Sequence, residues 1–168
     1  MGVWTSTPLD ASAGSVLTAA QWDATVRDGF NAFGAMTSYT PTWGSSGTAP
    51  TIGNGTVIGA YTQVQKAVFF RCGVTFGTTT TFGTGNYTLT LPTAPSSGIP
   101  YWSFLGYALQ GGNAYTLTFD VNGGSSTAAL NYQSSLVGLK TRVTPTAPLT
   151  WTATTNNGFW FSGTYEAA

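Results

Sequence analysis

Residues 66–76 alternate between apolar and polar positions, and this pattern restricts the fold more than any other feature of the chain. Every second side chain points to one side of a strand, and that side carries Val68, Phe70, Cys72, Val74 and Phe76. A helix would spread the same side chains around its circumference, because helical positions recur every 3.6 residues rather than every two. The segment therefore predicts a β-strand with one buried face.

Comparable runs recur along the rest of the chain. They cover residues 55–64, 81–91, 102–109, 115–119, 127–132, 149–154 and 159–165. Turn signals lie between them, at Asn122-Gly123 and at residues 156–158. Eight or nine short strands at such intervals are typical of a sandwich or jelly roll. We predict a mainly β domain over residues 37–168, an antiparallel jelly-roll-like β-sandwich.

Residues 1–36 are predicted to form an N-terminal arm and one short α-helix. Residues 18–34 carry an apolar stripe at helical spacing, and Thr18 is a suitable N-cap. Two uses of the stripe stay open: packing on the chain's own sheet, or bundling of about three copies. We expect this segment to anchor and oligomerise the protein through its large apolar residues, which are Trp4, Leu17, Trp22, Val26, Phe30 and Phe33.

The composition excludes several kinds of function. Charged residues make up 6% of the chain, with five basic and five acidic residues, no histidine and one cysteine. Catalysis by a serine or cysteine that is paired with histidine is therefore excluded. Metal sites with imidazole ligands and zinc clusters are excluded as well. The zero net charge argues against nucleic acid, and the chain has no run of ~20 apolar residues to cross a membrane. We expect no enzymatic activity, no metal and no cofactor.

The remaining ionisable side chains do not suggest a catalytic pair. Asp120 and Glu166 are the only acids after residue 36. Glycoside hydrolysis needs two carboxylates facing one cleft, and nothing in the pattern of these two predicts that arrangement. Cys72 lies in the middle of a strand, on the same side as Val68 and Val74, so it is predicted to be a core thiol.

The aromatic residues allow two interpretations. Trp43, Phe82, Trp102 and Trp160 are candidate exposed ligand contacts that stack on sugar rings, or they fill the core or a subunit interface. Trp160 alternates with two phenylalanines in one strand, so both faces of that strand are apolar. Phe69 and Phe70 make the same pattern in another strand. Such strands predict an outer face covered by a neighbouring subunit.

Two segments resemble a known class of proteins. Residues 14–28 (GSVLTAAQWDATVRD) resemble the N-terminal segment of accessory virion proteins from phages of actinobacteria. Residues 50–61 (PTIGNGTVIGAY) and 74–85 (VTFGTTTTFGTG) are similar to a β-rich module of the same proteins, often described as minor tail proteins or virion fibres. The resemblance covers roughly the first 95 residues of the chain.

The resemblance implies a non-enzymatic structural protein on the exterior of the phage particle. Capsid decoration, head fibre and minor tail protein all stay open, with capsid or tail proteins as partners. By analogy with virion spikes we expect a homotrimer, anchored by its N-terminal segment. The alternative is a carbohydrate-binding host-adhesion module that recognises a host cell-wall glycan through tryptophan, tyrosine and asparagine rather than through a metal.

Overall fold

A computed structural model describes residues 36–133 and 139–168, together with Val16, residues 18–22 and Arg27. The described chain is mainly β and antiparallel, as the alternating pattern predicts. Its elements are α1 Ala19–Trp22, β1 Thr37–Tyr39, β2 Trp43–Ser45, β3 Thr56–Val64, β4 Ala67–Thr75, β5 Tyr87–Thr90, β6 Tyr101–Gln110, β7 Asn113–Asn122, β8 Thr127–Gln133, β9 Lys140–Arg142 and β10 Gly158–Glu166.

The strands form one hydrogen-bonded sheet in the order β1-β3-β4-β10-β6-β7-β8-β5-β2, with β9 added beside β8. Tight hairpins join β3 to β4 and β6 to β7. Strand β10 lies near the end of the sequence, and it pairs with both β4 and β6, so it lies between them in the sheet. The turn signal at Asn122-Gly123 does join β7 to β8, which also pair.

The sheet curls so far that its edge strand β2 comes close to the interior strand β10. Trp43 lies on the edge strand β2, five strands from β10, which is about 24 Å away in a flat sheet. Its ring centroid is nevertheless 5.6 Å from that of Phe159 on β10. Phe70 on β4 and Phe119 on β7 likewise approach to 6.2 Å. One core therefore fills the inside of the curled sheet, while the jelly-roll sandwich stays a prediction.

Glycines make room for large rings on the inner face. Gly106 pairs directly with Phe161 across β6 and β10, and a Cβ at this glycine would overlap the phenylalanine ring. Gly59 likewise pairs directly with Tyr39 across β3 and β1, and a Cβ at Gly59 would overlap the tyrosine ring. An aromatic ring that lies over a glycine on the neighbouring strand replaces the packing that the missing side chain would have supplied.

The predicted strand over residues 149–154 is wrong, and so is the hairpin predicted at residues 156–158. This segment is a loop whose Trp151 is buried and donates its indole N–H to the carbonyl of Thr144 at 2.7 Å. The buried Asn157 amide donates to Thr152 and Thr154 of the same loop. The sequence pattern predicted burial correctly. In this loop, however, hydrogen bonds from side chains satisfy backbone groups that strand pairing would satisfy in a sheet.

The predicted N-terminal helix is described only in part. Ala19–Trp22 is helical, and Trp22 is 55% exposed. The other predicted anchoring contacts lie outside the described residues; these are Trp4, Leu17, Val26, Phe30 and Phe33. The anchoring role and the boundary at residue 36 stay predictions.

Cys72 is a core thiol, as predicted from its position in the strand. It is 2% exposed on the inner face of β4, and burial raises its pKa to about 12. Burial also raises the pKa of the phenols of Tyr87 and Tyr165, both of which face the core. Each of these groups is held protonated in the folded protein because the charged form is poorly solvated there.

We expect the folded protein to lose stability as the pH rises above about 9. A thiol in the unfolded chain has its ordinary pKa of 9.0, whereas the pKa of folded Cys72 is about 12. Proton release therefore favours the unfolded chain across this interval. Urea unfolding at several pH values should show the loss, and Cys72→Val should lessen its slope. An equal slope in the variant would contradict this role for Cys72.

Candidate functional site

The outer surface of the curled sheet divides into an apolar half and a polar half. The outward side chains of β3, β4, β10 and the second half of β6 include large apolar residues, whereas those of β7, β8, β5 and β9 are mostly hydroxyls, amides and charges. The alternation along each strand decides which side chains point outward. The strand order then gathers them into these two halves.

The apolar half, here called the apolar face, consists of Ile58, Phe69, Leu105, Tyr107 and Trp160. Leu105 is 71% exposed, and Ile58 and Tyr107 are both about half exposed. A groove of about 520 Å³ is lined by four of them, Ile58, Leu105, Tyr107 and Trp160. So much exposed hydrophobic surface on adjacent strands is unusual for a monomer that stays alone in water.

The groove owes its shape to one row of cross-strand partners. Ile58, Gly73, Trp160 and Tyr107 lie side by side on β3, β4, β10 and β6. A Cβ at Gly73 would overlap the indole of Trp160, so glycine allows that ring to lie across β4. The Trp160 and Tyr107 rings pack at a centroid distance of 5.2 Å. The row forms an aromatic floor for the groove.

Arg71 is the charged side chain that lines this groove, beside Ser162. Within the described part of the chain, Arg71 makes no side-chain hydrogen bond or ion pair. Arginine, tryptophan and tyrosine are the residues that most often dominate the energetics of protein interfaces. The composition of the apolar face is therefore that of an interface.

The polar half is built around Asp120, whose side chain is 1% exposed. Its Oδ1 accepts a hydrogen bond from the Ser103 hydroxyl at 2.5 Å, and its Oδ2 accepts one from the Asn131 amide at 2.8 Å. The Lys140 ammonium donates to both oxygens at 3.1 Å. The buried carboxylate thus has both a counter-charge and neutral donors, which is the condition for burying a charge stably.

This cluster has the geometry of a structural ion pair. Lys140 also lies 3.0 Å from the Ser103 hydroxyl, a distance that suits a serine nucleophile and a lysine base. However, the same ammonium donates to both oxygens of Asp120, while Ser103 donates its proton to that carboxylate rather than to the lysine. Both side chains therefore serve to satisfy the buried Asp120.

A second groove, of about 480 Å³ and here called the polar groove, opens beside Asp120. Tyr101 forms part of its wall and is 54% exposed. Arg142 is exposed and, among the described residues, makes no side-chain hydrogen bond or ion pair. The other polar side chains that line it are Ser45, Ser46, Asn86, Thr88, Asn122 and Thr127.

The structure separates the four aromatic residues predicted as exposed contacts. The prediction is wrong for Trp43, which is 7% exposed and stacks on Phe76 at 5.6 Å. Curling of the sheet folds its strand over the core. Phe82 and Trp102 are half-buried and pack against that core. Trp160 lies on the outer face, opposite to its neighbours Phe159 and Phe161, as the alternation predicts.

The two acids of the β domain have different partners. Asp120 is buried on β7, whereas Glu166 is half-exposed on β10 and lies 4.0 Å from Lys66. Strand β6 separates β7 from β10. Within residues 36–133 and 139–168, no three acids, cysteines or histidines are close enough to hold a metal ion.

No helix among the described residues is long and apolar enough to cross a membrane. The chain matches no model of a known protein family, no curated protein and no solved structure in the three comparisons made.

Proposed function

We propose that this chain is a non-enzymatic structural protein on the exterior of a bacteriophage virion. The observation that carries the proposal is the apolar face, an exposed hydrophobic surface on the outside of four adjacent strands. Residues 14–28 and 50–85, which resemble accessory virion proteins, indicate the kind of assembly. In such an assembly this surface is an interface between subunits.

The proposed occupant of the apolar face is another copy of the same chain. Its exposed leucine, isoleucine and aromatic rings are typical of the cores of homo-oligomer interfaces. We propose a homotrimer, by analogy with virion spikes.

The N-terminal segment is the proposed anchor to the particle, with capsid or tail proteins as its partners. Trp22, the anchoring residue that is described, is 55% exposed within a single chain. Exposed tryptophan commonly serves as an interface anchor. The β domain would then project outward as a jelly-roll-like sandwich, formed by the two halves of the curled sheet that face each other across the core.

The Asp120 cluster supports a structural role for the most polar part of the sheet. A catalytic carboxylate must be free to contact substrate, whereas this one is 1% exposed and already accepts hydrogen bonds from Ser103, Asn131 and Lys140. The cluster joins β6, β7, β8 and β9. It therefore stabilises the sheet that carries the apolar face.

The proposal is tested by counting this chain on purified phage particles. Phage that encode the chain should contain it after density-gradient purification, as measured by quantitative mass spectrometry against the major capsid protein. Antibody-gold labelling should place it outside the particle. A copy number in the hundreds indicates capsid decoration or head fibre, and a handful indicates a minor tail protein. Particles without the chain would refute the proposal.

A further inference from the structure

We propose that the polar groove binds an acidic saccharide, meaning a polyhydroxylated ligand that carries a carboxylate or a phosphate. The groove is about 480 Å³, a volume suited to a small ligand or to part of a larger one. It lies on the polar half of the outer surface, away from the apolar face. The two grooves share no lining residue, so the inference does not depend on the proposed assembly.

The charge of the groove favours an anion. Asp120 and Lys140 form an ion pair, so their charges offset each other. Arg142 supplies a positive charge that no described side chain neutralises. A guanidinium presents several N–H donors in one plane and binds carboxylate or phosphate oxygens through two of them at once. Arg142 is thus the proposed anchor for the anionic group.

The other walls of the groove suit a sugar ring. Tyr101 offers an exposed aromatic ring with a hydroxyl at its tip, against which the apolar face of a saccharide can pack. Asn86 and Asn122 offer amides that both donate and accept, and the serine and threonine side chains do the same. The hydroxyl groups of a ligand can therefore find both hydrogen-bond donors and hydrogen-bond acceptors in the groove.

The floor of the groove is held rigid by the ion pair between buried Asp120 and half-exposed Lys140. Asp120 lines the groove, and its bonds to Asn131 and Lys140 join β7, β8 and β9. Arg142 lies two residues beyond Lys140 on the short strand β9, opposite Asn131. The ion pair therefore positions the strand that carries the proposed anchor, which limits the entropy lost on binding.

The test uses the full-length chain and two acidic probes that separate the sources of the anionic group. Trigalacturonic acid supplies carboxylates on sugar rings, and a short glycerol phosphate oligomer supplies phosphates on a polyol. Two controls are used. Fully methyl-esterified trigalacturonic acid keeps the sugar rings but lacks the charge, and sodium acetate carries the charge but has no sugar ring. Isothermal titration calorimetry and amide chemical shifts around Tyr101, Asn86 and Asn122 should detect at least one acidic probe at a Kd of about 1 mM or tighter.

Substitutions then assign the binding to the polar groove. We expect Arg142→Gln and Tyr101→Leu each to weaken binding of the acidic probe by roughly tenfold. Arg71→Gln, the matched change on the apolar face, should leave the affinity unchanged. Unchanged unfolding temperatures of the three variants show that each is folded, since all three residues are on the surface.

Four results would overturn the inference. The first is no binding of either acidic probe at about 10 mM. The second is equal binding of the esterified trisaccharide, and the third is equal binding of acetate. The fourth is a Kd for the acidic probe that is unchanged by Arg142→Gln, or that Arg71→Gln weakens as much as Arg142→Gln does. An acidic probe that binds and responds to Arg142 and Tyr101 alone supports it.

Discussion

Serine in place of both Ile58 and Leu105 is expected to separate copies of this chain that otherwise associate. These two side chains are 53% and 71% exposed and lie on β3 and β6, on opposite sides of strand β10, which carries Trp160. We expect the loss of each of these two apolar contacts to cost about 1.4 kcal/mol, so association should weaken by roughly 100-fold. Sedimentation velocity over a range of protein concentrations measures the change.

The chain offers a matched control for this experiment. Ile99 and Leu139 are 45% and 65% exposed but lie outside the apolar face. The double variant Ile99→Ser, Leu139→Ser therefore removes similar side chains of similar exposure and should associate like the unchanged protein. A protein that is monomeric at about 100 µM, or two double variants that dissociate equally, would show that the apolar face is not the interface.

Methionine in place of Lys140 is expected to destabilise the folded protein by about 3 kcal/mol. The substitution leaves the carboxylate of Asp120 buried without its counter-charge, and a buried charge is expensive when a partner is removed. For a domain of this size the unfolding temperature should fall by roughly 6–12 °C. Urea and thermal unfolding followed by circular dichroism measure both quantities at neutral pH.

A double substitution separates the charge effect from lost packing. Asp120→Asn combined with Lys140→Met removes both charges and keeps a side chain of the same shape beside Ser103, so most of the loss should be recovered. Lys66→Met is the surface control. Lys66 is 67% exposed and 4.0 Å from Glu166, so its loss should cost at most about 0.5 kcal/mol. A double variant less stable than Lys140→Met would contradict this interpretation.

The alternation of side chains predicted more of the fold than any other signal. It placed Phe70 on the opposite face to Phe69, and Phe159 on the opposite face to Trp160, which the structure confirms. This succeeds because the pleat is a local property: consecutive side chains point to opposite faces wherever a strand lies in the sheet. The antiparallel, mainly β class follows from the same pattern and from the turn residues between runs.

Local patterns failed where neighbours in space supplied the missing partners. Residues 149–154 alternate like a strand, yet buried Asn157 and the carbonyl of Thr144 hold them as a loop. For Trp43 the sequence left both an exposed ligand contact and a core position open, and the curled sheet buries it against Phe76 and Phe159. No pattern within a few residues reports how far a sheet curls.

Neither groove was predicted from the sequence, because each combines residues that are distant along the chain. The apolar face joins Ile58, Leu105 and Trp160 only because β10 inserts between β4 and β6. The polar groove joins Tyr101 to Arg142 because the short strand β9 pairs with β8. Arg142 gave no signal of its own, since a single arginine on a three-residue strand is an ordinary surface residue.

The sequence by itself determined the β class, which side chains share a face of each main strand, and the burial of Cys72. These depend on the period of two in an extended backbone and on the cost of leaving apolar side chains in water. The tertiary structure alone decided which outward side chains become neighbours. Hydrogen bonding between strands sets their order, and it is that order which divides the surface into an apolar face and a polar groove.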